Sequence, residues 1–261
     1  MLGKLQKLLE PSNTLTSIFQ LSLPIAIYAG VASGAGWGWW ALAVFFWSVV
    51  YTIIGNNIAL HRYYTHGQFT INKPTQWLFL WSGTMIGIGG PLSYALTHLI
   101  HHKHPDTELD PHGPIRGIKS ILMYFQKTVD PTETPLFSRK LVELNKKYRW
   151  LHNYYVLVVL ANATILWLID FKLFLFLWAI PASMTCWTVG WAVWRQHIGM
   201  VANNAPTHRY EIMYDGLHLN HHLWPMAPNT AINDGEIDWT YQASRLFCPT
   251  YNWKGQPKNN D

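Results

Sequence analysis

Apolar residues along this chain gather in long runs, not in the stripes of surface helices or the alternation of half-buried strands. Four runs have the ~20 residues an α-helix needs to cross about 30 Å of hydrocarbon. They lie at about 14–32 (TLTSIFQLSLPIAIYAGVA), 37–60 (WGWWALAVFFWSVVYTIIGNNIAL), 151–169 (LHNYYVLVVLANATILWLI) and 171–194 (FKLFLFLWAIPASMTCWTVGWAVW). None carries the polar face of an amphipathic helix, so they are predicted to be transmembrane spans. A fifth run at about 75–96 is less uniform and broken at "GIGGPLSY". If it crossed fully, residues 61–66 and 98–102 would lie on opposite faces of the bilayer. It is therefore predicted to be a helix lying in the interface or partly embedded.

Charge sets the topology. Of the 19 Lys and Arg residues, only Lys172 falls in a link between spans 1 and 2 or spans 3 and 4. The others lie in the N-terminal arm, in 61–150, or after 194. Two hairpins put those regions on one side, and the positive-inside rule makes that side cytoplasmic. The net charge of +5 is then explained by topology and anionic headgroups, not by nucleic-acid binding. The expected fold is an all-α integral membrane protein: four transmembrane helices in two hairpins, with a helical cytoplasmic cap built from 61–150 and 195–261. Residues 1–261 form a single domain.

Composition sharpens this picture at two points. Charged residues make up only 13% of the chain, against about 25% in a typical soluble domain. Tryptophans at 37, 39, 40, 77, 81, 187, 191 and 194 fall near the ends of the runs and suit membrane boundaries. The first run has no small-residue cleavage site and is followed closely by a second span, so it is read as a span, not a cleavable signal. The two cysteines, Cys186 and Cys248, cannot form a disulfide framework.

The candidate chemistry is in the histidines. "HRYYTH" contains His61 and His66, "HLIHH" contains His98, His101 and His102, and "HLNHH" contains His218, His221 and His222. In a helix, positions i, i+3 and i+4 share a face, so each HxxHH points three imidazoles one way. His61 and His66 are five apart, about 140° around an α-helix, and are expected to grip one cavity from a helix end. All eight lie near predicted membrane boundaries on the same side. Neutral imidazole binds iron, zinc and copper well. Eight exceed the four ligands of one tetrahedral zinc and point to two metals. His152 and His208, and His104 with them, are read as ordinary surface or core residues.

The order HxxxxH, HxxHH, HxxHH, with hydrophobic hairpins before the first and third boxes, resembles the membrane fatty acid desaturase family. "HHKHPDTELDPH" resembles the HHxxxDTxxDPH run of acyl-CoA desaturases and their bacterial relatives, and "DGLHLNHHLWP" resembles their GEGxHNxHHxxP. The resemblance covers about residues 37–225. It implies metal ligation by His61, His66, His98, His101, His102, His218, His221 and His222. It also implies a ninth ligand between the last span and the third box, offered by His197 in "WRQHIGM" or, failing that, His208. Acyl-CoA desaturases have Asn four residues before that histidine, where this chain has Val193. Carboxylates that orient imidazoles through their other ring nitrogen are expected at Asp106, Asp110 and Asp215, the last standing where the family has Glu.

The resemblance implies two iron ions, dioxygen and two electrons, used to insert a cis double bond into a saturated acyl chain at a delta-9-like position. Removing hydrogen from an unactivated chain needs a redox-active metal, which zinc is not. The chain should lie in a narrow apolar tunnel lined by Trp, Phe and Leu. Acyl-CoA desaturases carry charges around the second box, where this chain has Leu96, Thr97 and Leu99. Arg116 and Lys119 are the candidates for meeting headgroup phosphates, or they face lipid. Acyl-CoA, acyl-lipid and acyl-carrier-protein substrates all remain open. The chain has no haem domain, Rossmann fingerprint or CxxxxC pattern, so electrons are expected from a partner such as ferredoxin or a cytochrome-b5-type protein. A di-iron lipid hydroxylase or ketolase is the alternative. A metal transporter, which would place these residues in mid-span, is the third reading.

Overall fold

The computed structural model describes residues 7–113, 117–123, 129–247 and 250–252. Its described residues are mostly helical. Helix α1 is Asn13–Ala32, capped by Ser12, whose side chain accepts from the Leu15 amide. Helix α2 is Trp37–Thr65, and α3 (Lys73–Thr84) and α4 (Pro91–Lys103) follow. Helices α5 (Arg139–Asn153) and α6 (Tyr155–Ile169) come next, then α7 (Phe171–Gln196). The short helices α8 (His218–Leu223) and α9 (Trp239–Ser244) complete the set. Strands β1 (Phe69–Thr70) and β2 (Thr250–Tyr251) pair antiparallel beside them.

Helices α1, α2 and α7 are long and apolar enough to cross a membrane, and α5 with α6 makes a fourth candidate bent by 58°. The outward faces fit a multi-pass membrane protein: Ile18, Leu21 and Ile25 on α1 and Ile165, Trp167 and Leu168 on α6 are all exposed. Three boundaries differ from the sequence expectation. Helix α2 runs past residue 60 to Thr65 and so carries His61 in its own last turns. Helix α7 ends at Gln196, which places His197 at its C-terminus. The third run is cut at Tyr154, so Leu151 and His152 belong to the amphipathic α5 and only Tyr155–Ile169 is the apolar helix. Hydropathy alone could not see that cut, because Leu-His-Asn-Tyr-Tyr reads as a span edge.

The fifth run is two helices, not one. Met85–Gly90 between α3 and α4 is non-helical and buried. Backbone without regular structure survives inside a membrane protein only where other parts satisfy it, and here several helices do. Tyr155 donates to the Thr84 carbonyl (2.8 Å), Trp178 to Met85 (2.9 Å), Cys186 to Ile86 (3.2 Å) and Thr16 to Gly87 (2.8 Å). Gly87 is required here: its φ is +97°, and a Cβ would stand 2.6 Å from Phe19. The break lets α4 turn away and aim its histidines at α2. Tryptophans at the run ends divide accordingly. Trp37, Trp77 and Trp191 are exposed, but Trp187 turns inward to donate to the Gln20 carbonyl (2.8 Å) and Trp81 to Asn162 (3.3 Å).

Candidate metal centre

Helix α2 is not a regular α-helix where it matters. Its last part winds wide, and the His66 amide donates to the His61 carbonyl (3.2 Å), an i→i+5 bond. Such wide turns recur at functional sites. They bring residues five apart back to nearly the same face, so His61 and His66 stand with ring centroids 5.0 Å apart. The 140° separation expected for an α-helix does not apply here.

The nine histidines expected as ligands fall into two groups. His61, His66, His98, His102 and His221 form one, and His101, His197, His218 and His222 the other; within each group the ligand atoms lie within 4.8 Å of one another. Each HxxHH helix feeds both groups. On α4 the i and i+4 residues enter the five-imidazole group and the i+3 residue the other. On α8 the assignment reverses. The stacked rings of His102 and His222, with centroids 4.4 Å apart, join the groups. His197 at the end of α7 enters the four-imidazole group, whereas His208 contacts the Ala205 carbonyl (3.0 Å) and belongs to neither.

All three expected carboxylates reach an imidazole. His101 Nδ1 lies 2.9 Å from both oxygens of Asp110, His197 Nδ1 3.0 Å from Asp106, and His61 Nδ1 3.1 Å from Asp215. Asp106 is held by a left-handed backbone (φ 60°), and its amide donates to Asp110 (2.8 Å), locking the two carboxylates together. Burial pushes Asp110 up, but its bond to His101 and the amides of Asp106 and His112 hold it down at about 2. Burial likewise opposes ionisation of Asp215, and the Arg62 guanidinium and His61 hold it well below the usual carboxylate range.

These bonds determine where the remaining lone pairs point. An imidazole donating Nδ1–H to a carboxylate presents a bare Nε2 when neutral. His61 Nε2 faces His221 Nε2 at 2.9 Å, and His101 Nε2 faces His222 Nε2 at 3.1 Å. His197 Nε2 faces His218 Nε2 at 2.8 Å, and His222 Nε2 faces His218 Nε2 at 3.0 Å. Two nitrogens about 2.0–2.1 Å from one metal at right angles stand about 3 Å apart, so the spacing suits a shared cation. Protonation would not serve instead. Burial, and then the neighbouring imidazoles, hold His66, His98, His102, His218 and His221 well below the ordinary histidine value and push His222 down to about 2. The donor sets therefore fit two metal ions.

The sequence reading missed a supporting network. Arg62, fully buried, donates to Asp215 (2.9 Å), to both oxygens of Asp238 (3.0 Å each) and to the Pro228 carbonyl (2.8 Å). Its position beside His61 in an apolar helix was the available signal; Asp238 had none. His112 was also passed over, although it lies in the quoted DPH run; its ring is 5.8 Å from that of His101. Asn220, between His218 and His221, donates to the Thr230 carbonyl (2.8 Å) and Glu236 (2.9 Å), fixing α8 to the following loop.

Beside both groups lies a cavity of about 950 Å³ counted to its open mouth, within the size range of ligand sites. Its wall includes His61, His98, His101, His197 and His218, and it runs between α1, α2, α4 and α7. The expected lining of Trp, Phe and Leu is not what the structure has. Thr52, Asn56, Asn57, Tyr94, Val193 and Met213 are among the residues that line it, and among the described residues no Trp, Phe or Leu does. The large aromatics pack between helices instead, as Trp40 does on Phe176 at 5.0 Å. Lys119 is exposed on a short turn at Gly117–Ile121 and does not line this cavity, and Arg116 lies outside the described residues.

Comparison with known proteins points the same way. The sn-1 stearoyl-lipid 9-desaturase of Anabaena variabilis is 26% identical over 261 residues, covering 90% of each chain. Acyl-CoA 5-desaturase AL21 of Anemone leveillei is 27% identical over 210 residues, covering 75% of this chain and 64% of its own. The chloroplastic palmitoyl-monogalactosyldiacylglycerol delta-7 desaturase of Arabidopsis thaliana is 26% identical over 223 residues, 80% of this chain and 60% of its own. The family model described as fatty acid desaturase matches residues 37–234, which holds every histidine of both groups. The chain belongs to the fatty acid desaturase family and is an oxidoreductase of the fatty acyl desaturase class.

Proposed function

We propose that this protein introduces a cis double bond into a saturated acyl chain at a delta-9-like position, using two iron ions, dioxygen and two electrons. One observation carries the reading: nine imidazoles from four separate segments converge as two groups beside one cavity. The balance is one saturated chain, one dioxygen, two electrons and two protons giving one monounsaturated chain and two waters. Iron bound there supplies the hydrogen abstraction that no side chain can perform.

The chain's own residues do the rest. The nine imidazoles are the ligands in this reading. Asp106, Asp110 and Asp215 hold His197, His101 and His61 in the Nδ1–H tautomer and leave Nε2 free to bind. Thr52, Val193 and Met213 help shape the cavity so that one pair of carbons meets the centre. A lipid-linked acyl chain is the favoured carrier. Leu96 and Thr97 beside His98 are buried, so this flank offers no charge to a coenzyme, and the relative matching over 90% of both chains acts on a stearoyl lipid.

In this reading residues 1–261 are one domain with four spans in two hairpins, and the histidine-bearing end is cytoplasmic. An acidic redox protein of the ferredoxin or cytochrome-b5 type delivers electrons to the exposed cations of that end, which include Lys103, Arg139, Lys146 and Lys147. The test is expression in a host lacking unsaturated lipids, followed by chromatography of fatty-acid methyl esters. A new monoene that disappears with His101→Ala or His221→Ala is expected. A hydroxylated or ketone product would overturn the reading in favour of an oxygenase.

A further inference from the structure

A third convergence of metal-ligating groups lies outside the two histidine groups. It is made by Glu10, Asp130 and His152, whose ligand atoms fall within 4.8 Å of one another. His152 Nε2 is 3.9 Å from a Glu10 oxygen and 3.9 Å from an Asp130 oxygen. Those separations are too long for hydrogen bonds. They are within the span that two ligands on one ion can reach, about twice a bond of 2.0–2.2 Å.

The imidazole needs a partner. His152 is only 3% exposed, and neither ring nitrogen has a hydrogen-bond partner. A buried polar group in that state is rare and costly. Glu10 faces a related problem, because burial and the nearby Asp130 charge raise its pKa, whereas Asp130 accepts from the Thr132 amide at 2.7 Å. The nearby cations, Lys7 and Arg149, favour the Glu10 carboxylate but make their hydrogen bonds elsewhere. Lys7 pairs with Glu133 at 2.7 Å, and Arg149 donates to Asn145 at 3.1 Å.

We propose that Glu10, Asp130 and His152 bind a single first-row divalent cation of the zinc type, in a site separate from the histidine groups. One neutral imidazole and two carboxylates cancel a divalent charge, and three protein ligands leave a fourth position for water. The site joins three segments: the arm leading into α1, the loop before α5, and the end of α5 where the chain bends by 58° into α6. The arm already docks there, because the Val156 amide donates to the Leu9 carbonyl (2.9 Å). A bound ion would fix the arm and the elbow together.

The test counts metal in full-length protein purified in detergent, equilibrated with Zn²⁺ and freed of excess. Wild type should retain one more equivalent than each of Glu10→Gln, Asp130→Asn and His152→Gln. Zn²⁺ should also raise the unfolding temperature of wild type more than that of the variants. The count is a difference, so it holds whatever fills the histidine groups. If one variant fails to fold, the other two still decide. Equal zinc content in wild type and the folded variants would overturn the site, leaving a buried histidine bridged by water.

Discussion

Replacing Asp215 by Asn isolates one tautomer. Asp215 accepts from Arg62 through Oδ1 at 2.9 Å and meets His61 Nδ1 through Oδ2 at 3.1 Å. An asparagine turned to keep its oxygen on the Arg62 guanidinium presents its NH2 to His61. Two donors then face each other, and His61 must move its proton to Nε2. That nitrogen lies 2.9 Å from His221 Nε2, in the middle of the five-imidazole group. A protonated Nε2 is no ligand. The opposite amide orientation would set NH2 against a guanidinium, which is worse. Arg62 stays paired with Asp238 at 3.0 Å, so the fold should survive the exchange.

Losing such a supporting partner typically weakens metal binding about 10–100-fold, or about 1.4–2.7 kcal/mol. Because Asp215→Asn inverts the tautomer and does not merely loosen it, the upper end is expected. The loss should begin at the five-imidazole group. Asp106→Asn should weaken the other group, through His197. The assay is iron retention against a graded chelator, read as metal per chain. Asp215→Asn should lose its first ion at a chelator concentration about 100-fold below the one at which wild type loses either. Equal retention of both ions in Asp215→Asn would show that the carboxylate does not set the tautomer of His61.

Three further outcomes follow from the same geometry. Arg62→Met leaves Asp215 and Asp238 buried without their cation, and breaking such a pair from one side costs about 3–5 kcal/mol; an unfolding midpoint in detergent equal to wild type would refute the network's role. The metal-free protein should be acid-labile, because His66, His98, His102, His218 and His221 have folded pKa values well below that of the unfolded chain. Their neutral burial costs nothing extra above about pH 6.5, and as pH falls below it each favours unfolding by about 1.4 kcal/mol per unit; a melting temperature flat from pH 7 to pH 5 would contradict this. Val189 on α7 also lines the cavity, so Val189→Trp should fill it and abolish the monoene while metal content stays at the wild-type level, and an active variant would place the acyl chain elsewhere.

How much of this was legible beforehand depends on the range of the interaction. The histidine boxes were legible because their spacing is local: i, i+3 and i+4 share a helix face wherever the helix goes. Asp106 and Asp110 were legible for the same reason, being within one short run of His101. Three of the long apolar runs were legible as helices long and apolar enough to cross a membrane, since hydropathy leaves a one-dimensional trace. What was lost is long-range or depends on backbone detail. Arg62 and Asp238 meet across 176 residues, and nothing in either neighbourhood announces the other. The wide turns of α2 have no composition signature, so the sequence placed His61 and His66 about one cavity but not on nearly one face of the helix. The cavity lining was misjudged because the abundance of Trp and Phe suggested a tunnel, whereas packing between helices takes up those rings.

The crossed supply of ligands has a consequence for assembly. Neither group can form from α4 or α8 alone, and each helix places residues in both. A displacement of α8 by a fraction of a turn would move His221 out of one group and His218 and His222 out of the other together. The two ions should therefore bind cooperatively with the docking of α8, and Asn220, tied to Thr230 and Glu236, is the residue that holds that docking from behind. Binding energy released at either group then stabilises the same helix, so structure and metal loading form one equilibrium. The groups differ in count, five imidazoles against four. The four-imidazole group has His197 one turn beyond Val193, an apolar side chain on the cavity wall. An ion held there would have one protein donor fewer, and Val193 would add none.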